Sequence, residues 1–406
     1  MQLSPFSRYS LFLAGLLVVA LPAAAWSQTT TATAEAIQLG PLGLTPTLSL
    51  TNIGVDNNVF RDETGPRSDF TATLSPGLGS SIQVGPMLVT GKTTVAWNYF
   101  QKAANQRSFD VSQDAKFTFL FSRLVPYFGG SYVTTRQRVN LEIDERVRRV
   151  TPIVLAGTTV VFSPLFALTL EGTQSKPDFS DRSFGDPLLA QQLNRRTRVA
   201  RAEATIQATP ITAVIVRGEW QDDVFSGSSL RNSQSEALSA GLSFSPSSLI
   251  SGSGRVGFRR FEPADPSVPP VRLAIANANL SYVWGEMTKV AVSVARDVDF
   301  SYRETAPYFI GTQASLELTQ VIGASWDVVA RYGRNWVEYS GFRVTGLPSE
   351  ALGPTERTFI YGVGVGHHLA SGIRIGFNAD KQFRLSGVDG RNYDGFRAGG
   401  SVTYGF

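Results

Sequence analysis

The chain has 406 residues, no cysteine and a formal net charge of +4, and its arginines and lysines are scattered along the sequence. Scattered basic residues give little support for nucleic-acid binding, and the lack of thiols excludes disulfides. Charged residues make up 17% of the chain, whereas glycine (38) and phenylalanine (26) are abundant. Ordinary soluble domains have ~25% charged residues, so this composition is unusual for that class.

Residues 1–27 have the pattern of a secretory signal peptide. Arg8 precedes an apolar run from Leu11 to Ala25, and small residues surround Ala25 and Ser27. The run is short for a membrane span, and no later run reaches the roughly 18 consecutive apolar residues that a transmembrane helix needs. The sequence therefore predicts an exported chain with a periplasmic leader at 28–43 and one β-domain at 44–406.

After the leader, apolar and polar residues alternate with period two along most of the chain. Between residues 89 and 99, for example, Val95 and Trp97 lie on one face of the predicted strand. Lys92 and Asn98 lie on the other face. No helical period of comparable length occurs, so the predicted fold class is all-β.

Short and long connections alternate strictly between these segments. Tight turns such as 84–87 and 208–211 alternate with polar loops, of which 177–196 is the longest. The strands between them number about 18 and have roughly 10 to 14 residues, enough to cross a bilayer at a tilt. A soluble sandwich or propeller would have strands of about 5 to 6 residues. The pattern therefore predicts a transmembrane antiparallel up-and-down β-barrel of about 18 strands.

The tryptophans of the predicted barrel all fall on the apolar face. Trp284 and Trp326 lie next to tight turns, whereas Trp97, Trp220 and Trp336 lie near long loops. Because tryptophan prefers the two membrane interfaces, this placement predicts two aromatic belts. Further members of the belts are expected to be Tyr99, Tyr132, Phe244, Tyr339 and Phe406.

The segment "TPTLSLTNIGVDNNVFRDE" (45–63), followed by "SDFTATLSPGL" (68–78), resembles the opening hairpin of the outer-membrane β-barrel porin family associated with exopolysaccharide loci. The resemblance is carried by Asp56, Asn58, Val59, Phe60, Asp69, Phe70 and Pro76. The C-terminal Tyr404 and Phe406 resemble the signal that the barrel assembly machinery recognises. The resemblance implies a bacterial outer-membrane location with lipid and this machinery as partners, and it brings no catalytic residues.

Two short motifs were candidates for chemistry. His367 and His368 are neighbours on one strand and point to opposite faces, so they cannot share a metal ion. We expect a polar pair, and the alternative is a hydrolase that uses one histidine beside a serine, although no G-x-S-x-G motif is present. The "GVGVG" run at 362–366 predicts room in the lumen, or a closely approaching side chain, rather than a nucleotide loop. No catalytic residue, metal or cofactor is predicted.

Strand parity turns many charged residues toward the interior. Such charges require water, protein partners or ion pairs, and an 18-stranded wall is wide enough for an aqueous channel. A modest excess of arginine favours anions. The predicted pore-lining residues are Lys92, Asp110, Asp114, Lys116, Arg201, Glu203, Arg217, Glu219, Arg255, Arg259, Lys289, Asp297, Asp327, Arg331, Arg374, Asp380 and Arg384.

Two loops are candidates for special roles. In the longest loop, Asp186 precedes Pro187, which predicts a helix from residue 187 to about 194. This loop is expected either to fold inward as a constriction or to cap the rim from outside. The candidate constriction residues are Asp186, Arg195, Arg196 and Arg198. The acidic segment 141–146 is expected to be solvated, with a divalent-ion site as the alternative.

The sequence predicts a passive outer-membrane channel for hydrophilic solutes, such as sugars or an exported polysaccharide, without enzyme chemistry. The alternative is a non-conducting barrel that anchors or partners a surface-polysaccharide or secretion assembly through its loops.

Overall fold

A computed structural model describes residues 37–180, 188–339, 355–369, 372–388 and 390–405. The strands are β1 (Ile37–Leu39), β2 (Leu42–Asp56), β3 (Asp69–Val84), β4 (Met87–Phe100), β5 (Ser108–Phe119), β6 (Leu124–Arg138), β7 (Arg146–Ser163), β8 (Phe166–Ser175), β9 (Asp178–Phe179), β10 (Arg195–Thr209), β11 (Thr212–Phe225), β12 (Ser233–Phe244), β13 (Ile250–Pro263), β14 (Val271–Trp284), β15 (Thr288–Phe300), β16 (Tyr308–Ile322), β17 (Trp326–Glu338), β18 (Glu356–His368), β19 (Ile373–Leu385) and β20 (Tyr393–Tyr404). The helical elements are α1 (Leu189–Leu193) and the 3-10 turns Ala104–Gln106 and Ser229–Arg231. Within the described ranges, none of these helices has the length and apolar character needed to cross a membrane.

The long strands form one closed antiparallel barrel. Of the 20 strands in the sheet, β1 pairs only with the start of β2 and β9 only with β7, and the remaining 18 form the wall. Consecutive wall strands pair with each other, and the last strand, β20, pairs with the first, β2, through partners such as Leu48 and Tyr404. The predicted fold class and strand number are confirmed. The wall begins at Leu42, slightly before the predicted boundary at residue 44.

The barrel has its apolar side chains outside and its charged side chains inside. On β13, Val256 and Phe258 are 68% and 73% exposed, whereas Arg259, which directly follows Phe258, is only 7% exposed. A water-soluble domain would have the opposite arrangement. An outer face of this kind is stable where it contacts lipid, as in outer-membrane barrels.

The aromatic belts largely follow the predicted pattern. Trp97 and Trp220 near the long loops, and Trp284 and Trp326 near the tight turns, are all exposed on the outer face. The prediction for Tyr339 is wrong, because this side chain is buried and has the inward parity of the neighbouring strand β17. Phe406, the other end of the expected belt, lies outside the described residues.

The residues that carried the family resemblance organise the first two long loops. Asn58 donates its amide to the carbonyls of Asp62 (2.8 Å) and Asp394 (2.9 Å), which ties the first loop to β20. The Asp69 carboxylate accepts the backbone N–H groups of Lys102 (2.9 Å) and Ala103 (2.7 Å) in the second loop. These two polar side chains therefore satisfy loop backbone groups that no ladder could pair.

The tip of the β15–β16 hairpin leaves the wall and folds across the mouth on the long-loop side. Pairing of β15 with β14 stops at Arg296, whereas β15 and β16 remain paired up to Phe300 and Tyr308. The ring of Phe300 packs 4.8 Å from that of Phe225, and Tyr308 packs 4.7 Å from Phe261. These partners belong to β11 and β13, so the tip spans several strands of the rim.

The longest loop packs into the same apolar cluster. Its helix α1 is shorter than predicted, and Leu189 and Leu193 are buried among aromatic residues of the strand ends, including Phe225 and Phe261. This packing agrees with an inward fold and not with an external cap, because the contacts are to the inner side of the rim. Asp186, the predicted N-cap, lies outside the described residues.

Candidate functional site

A ladder of ion pairs crosses neighbouring strands on the inner face. Arg201 on β10 bridges Glu171 on β8 (3.2 Å) and Glu219 on β11 (2.8 Å). Arg259 on β13 extends the ladder from Glu219 (2.9 Å) to Asp297 on β15 (2.8 Å). Opposite charges alternate along the ladder, so most of the field that it could project into the lumen cancels.

A second group lies one step closer to the tight turn between β10 and β11. Glu203 accepts a hydrogen bond from Arg217 Nε (2.7 Å) and lies 3.6 Å from Arg255 Nη1. Two arginines therefore share one carboxylate. This excess positive charge offsets the excess negative charge of the neighbouring ladder.

The remaining inward charges near β5 connect to the ladder through an aromatic residue. Lys116 lies over the ring of Tyr127 (3.9 Å to the centroid), and the Tyr127 hydroxyl donates to Glu171 (2.9 Å). Lys92 and Asp114 are direct cross-strand partners on the same face. Asp110 and Lys289 also have the predicted inward parity, as do the charged residues of the ladder and of the group around Glu203.

A third network occupies the other side of the barrel. Arg331 on β17 contacts Glu317 (3.1 Å), Asp380 (3.4 Å) and the side-chain oxygen of Asn378 (3.0 Å). Asp380 also lies 3.7 Å from Arg397 on β20. These contacts link strands β16 to β20 and again pair carboxylates with arginines.

The glycines at 362, 364 and 366 make room for this network. A Cβ at these positions would overlap with Asp380, Asn378 and Arg374 respectively. Only glycine lets the polar side chains of β19 lie flat against β18. This close approach of side chains is one of the two meanings predicted for the "GVGVG" run.

The histidines lie at the tight-turn end and are separated by the wall. His368 Nε2 is 2.6 Å from Asp327 Oδ2 on the inner face, and Arg374 Nε donates to the same oxygen (2.7 Å). His367 is on the outer face, where its ring lies 4.6 Å from that of Trp326. Within the described ranges, no group of three or more His, Cys, Asp or Glu residues is arranged to hold a metal ion.

The candidate constriction residues do not act as one set. Arg195 faces inward, where it lies 3.8 Å from Asp223 and over the ring of Phe300 at 4.5 Å. Arg196 and Arg198 are exposed, and Arg198 has the opposite parity to Arg195 in β10. The expectation that all three arginines lie at the pore entrance therefore needs correction, because β10 begins at Arg195 and alternates from there.

A buried network of charges, here called the mouth network, joins the loops above the lumen. The Glu142 carboxylate accepts hydrogen bonds from Ser301 Oγ (2.8 Å) and the Tyr339 hydroxyl (2.7 Å), and it lies 3.3 Å from Arg303. Arg391 donates to the carbonyl of Glu142 (2.6 Å). Four distant loops are thereby held together.

Arg391 and Arg384 complete this network. Arg391 binds the buried Glu356 carboxylate through two nitrogens (2.7 and 2.8 Å). Arg384, predicted to line the pore, forms a two-pronged contact with Asp144 (2.9 Å for Nη2), and Arg61 lies 3.6 Å from Asp144. Both expectations for the acidic segment 141–146 are therefore wrong, since Glu142 and Asp144 are neither solvated nor grouped for a metal ion.

Burial affects the two acids of this segment differently. Burial raises the pKa of Glu142, and the hydrogen bonds from Tyr339 and Ser301 only partly oppose it. Burial would also raise the pKa of Asp144, but the Arg384 and Arg61 guanidinium groups outweigh it and lower the pKa. Asp144 is therefore the carboxylate that the mouth network holds firmly in its charged form.

Three cavities lie in series between the loop side and the lumen. The outermost, here called the vestibule, has a volume of about 810 Å³ and includes Arg61 and Arg138 in its lining. A narrow neck of about 10 Å³ shares these two arginines and also contains Asn140 and Leu141. The lumen cavity, about 360 Å³, shares Asn140 and Leu141 with the neck. The neck has room for roughly one water molecule.

Sequence reasoning missed most of the mouth. Glu142 was considered only as part of the acidic segment 141–146. Arg138, Asn140, Glu356 and Arg391 were not singled out, although they contribute to the neck and the network. Their partners lie up to 249 positions away along the chain. The one signal available was the density of charge in loops that the strand pattern had already placed on one side.

A family model described as "Putative beta-barrel porin 2" matches residues 132–405. No curated protein sequence matches the chain. Among solved structures, Pseudomonas aeruginosa OccK2 (OpdF) in complex with glucuronate has a TM-score of 0.49 at 12% identity, with 89% of this chain and 97% of that chain covered. P. aeruginosa OpdL has a TM-score of 0.46 at 12% identity, with 89% and 98% covered. The P. aeruginosa siderophore receptor PirA has a TM-score of 0.41 at 9% identity, with 91% and 80% covered.

Proposed function

We propose that this chain is a passive channel for hydrophilic solutes. The premise is that the chain belongs to the "Putative beta-barrel porin 2" family and is an outer-membrane barrel. The observation that supports the proposal is the series of vestibule, neck and lumen cavity, which adjoin one another inside the closed barrel. Charged and amide side chains line all three spaces and offer a solute hydrogen bonds in place of water.

The inward residues predicted from parity are the proposed lining of this channel. The ladders around Arg201, Glu219 and Arg331 hold their charged groups against the wall. Ion pairs held flat in this way leave space along the axis and avoid bare buried charges. We propose no chemical reaction for the barrel, and we assign His368 a structural role beside Asp327.

The neck limits which solutes can pass. At about 10 Å³ it excludes a sugar ring, so passage of a sugar from the vestibule through the neck requires movement of the residues that line the neck, such as Arg61, Arg138 and Arg384. Small sugars need a smaller movement than a polysaccharide chain. We therefore place sugars first among the proposed solutes and an exported polysaccharide second.

Planar-bilayer recording of the refolded mature chain tests the proposal. We expect discrete, steady conductance steps that added neutral sugars reduce once they enter the lumen. Arg391→Gln, which releases Glu356 in the mouth network, should increase the conductance. Arg123→Gln, at an exposed tight turn on the other side, is the matched control and should leave it unchanged. Silence of both the wild type and Arg391→Gln would overturn the channel.

One observation favours the second candidate, a non-conducting barrel that partners a surface assembly. The neck is narrow, and the mouth network buries Glu142 and Glu356 beneath the loops. A rigid, closed loop surface would suit a docking role. Absence of conductance even when the mouth network is broken is the outcome that would favour this candidate.

A further inference from the structure

The vestibule is a concave pocket on the loop side, and its volume of about 810 Å³ is typical of small-molecule sites. It is formed by the loops that follow β2, β4, β6 and β19. Its charged lining consists of Arg61, Asp62, Arg67, Asp69, Lys102, Arg138, Asp144, Glu145, Arg146 and Arg391. Basic residues outnumber acidic ones in this set.

Three of the acidic groups are engaged within the protein. Asp69 accepts the backbone N–H groups of Lys102 and Ala103. Asp144 is held by Arg384, which lies deeper in the neck. Asp62 lies 4.0 Å from Arg67 at the rim. Asp144 also lies 3.6 Å from Arg61 and from Arg391, so these carboxylates offset part of the positive charge of the vestibule. Among the described residues, none of them forms an ion pair with Arg138 or Arg146.

Two arginines of the vestibule lie side by side, and the charge of Asp144 acts on one of them, Arg138. Arg138 at the end of β6 and Arg146 at the start of β7 are direct cross-strand partners. Side chains at such positions have Cβ atoms about 5 Å apart, and like charges placed there repel each other. The pairing is therefore unfavourable unless something negative lies near both.

The hydrogen bonds of these two side chains go to backbone carbonyls. Arg138 Nη2 donates to the Val59 carbonyl (2.9 Å), and Arg146 donates through Nε (3.1 Å) and Nη2 (2.9 Å) to the Arg136 carbonyl. Among the residues that the structure describes, neither guanidinium has an ion pair within 4.0 Å, and Arg138 Nε has no hydrogen-bond partner.

Other groups nearby position Arg146 and offset its charge only from a distance. Its guanidinium lies over the Phe100 ring, 4.7 Å from the centroid. Asp110 is the carboxylate whose charge acts on it, but the Asp110 oxygens accept from the Arg136 N–H (2.8 Å), Gln137 (3.3 Å) and Asn98 (3.1 Å).

We propose that the vestibule binds an oxyanion, carboxylate or phosphate, of a sugar-sized hydrophilic solute, with Arg138 and Arg146 as its main ligands. Guanidinium groups suit this role because their planar N–H donors match a carboxylate or phosphate. The bound anion would relieve the repulsion between the two side chains. The vestibule volume leaves room for the rest of the solute.

Calorimetric titration of the full chain in detergent tests this site. The probes are glucose, glucuronate and glucose 6-phosphate, which differ in having no charge, a carboxylate or a phosphate. We expect at least one anionic probe to bind and glucose not to bind, with weakening at higher salt. Which anion binds identifies the source of the oxyanion. Equal binding of glucose, or no binding of either anion, would overturn the site.

Substitutions test whether the anionic probe binds at Arg138 and Arg146. Arg138→Gln and Arg146→Gln should each weaken the anionic probe at least tenfold, whereas Arg123→Gln at the far end should bind like the wild type. Arg138→Lys, which keeps the charge but not the planar donors, should give an intermediate affinity. A shift of electrophoretic mobility on boiling shows that each variant is folded. Wild-type affinity in both glutamine variants would refute the assignment.

The identity of the ligand as a transported solute rests on the proposed channel function, but the binding test does not. Binding without conductance would keep the vestibule site and overturn the channel. Conductance without binding would overturn the vestibule site and leave the channel intact.

Discussion

Gly366→Ala should destabilise the barrel, because the added methyl group would displace the side chain of Arg374. A Cβ at this position would overlap with the Arg374 guanidinium, which must then release Asp327. Asp327 is 1% exposed, so it would be left with the His368 ring as a remaining hydrogen-bond partner. Removing one member of a buried ion pair costs roughly 3–5 kcal/mol, and because His368 stays in place we expect about 3 kcal/mol.

Urea unfolding in detergent, followed by tryptophan fluorescence, measures this loss. Gly218→Ala is the matched control, because a Cβ there has no heavy atom within 4 Å, and it should change the stability by less than about 0.5 kcal/mol. The double variant with Arg374→Ala separates the causes. If Gly366→Ala costs as much in the Arg374→Ala background as in the wild type, the displacement of Arg374 is not the reason.

Three further predictions concern the mouth and the C-terminus. At pH 7, Asp144→Asn should lower the free energy of unfolding in urea by about 2 kcal/mol, whereas Glu142→Gln should change it by no more than about 1 kcal/mol. The reason is that, of these two acids, only Asp144 has a lowered pKa. Equal losses in the two variants would contradict this. The stability difference between wild type and Asp144→Asn should be constant above the ordinary pKa of 3.8 and should shrink as the pH falls through the lowered pKa of the folded state. A difference that grows on acidification would have the wrong sign. Tyr404→Ala should reduce the heat-modifiable fraction of the protein in outer membranes, whereas Tyr282→Ala, at a similarly exposed tyrosine on the outer face, should not. Equal fractions in the two variants would argue against a C-terminal assembly signal.

The wall could be predicted because its pattern is local. Each residue of β13 alternates with its neighbours, so the positions of Phe258 and Arg259 follow from two adjacent letters of the sequence. The same local rule also separates His367 from His368. Counting such segments gave the strand number, since each wall strand carries its own signal.

The same rule fails where a strand leaves the wall. Val298 and Phe300 have outward parity in β15, yet both pack in the apolar cluster of the mouth. Alternation tells which residues share a face of a strand, and it does not tell what that face contacts. The end of the β14–β15 pairing at Arg296 is a tertiary event, and the sequence around it continues to alternate.

The mouth network was beyond sequence reasoning for a related reason. Glu142 and Asp144 lie in a loop whose composition is that of a solvated segment, and only their partners make them buried. Arg303 and Arg391 come from loops far along the chain. Charge in a loop therefore predicts neither exposure nor burial until the neighbouring loops are known.

The distribution of charge separates the roles of lumen and mouth. Along the lumen, Arg201 and Arg259 are bracketed by carboxylates, so their field falls off within a few ångströms. At the vestibule, Arg138 and Arg146 face each other across one register position, and their charges add. On the proposed channel function, an anion would pass these two arginines before it reaches the neck. If the barrel conducts as proposed, selection by charge would therefore depend more on the region that carries Arg138 and Arg146 than on the ion-paired wall.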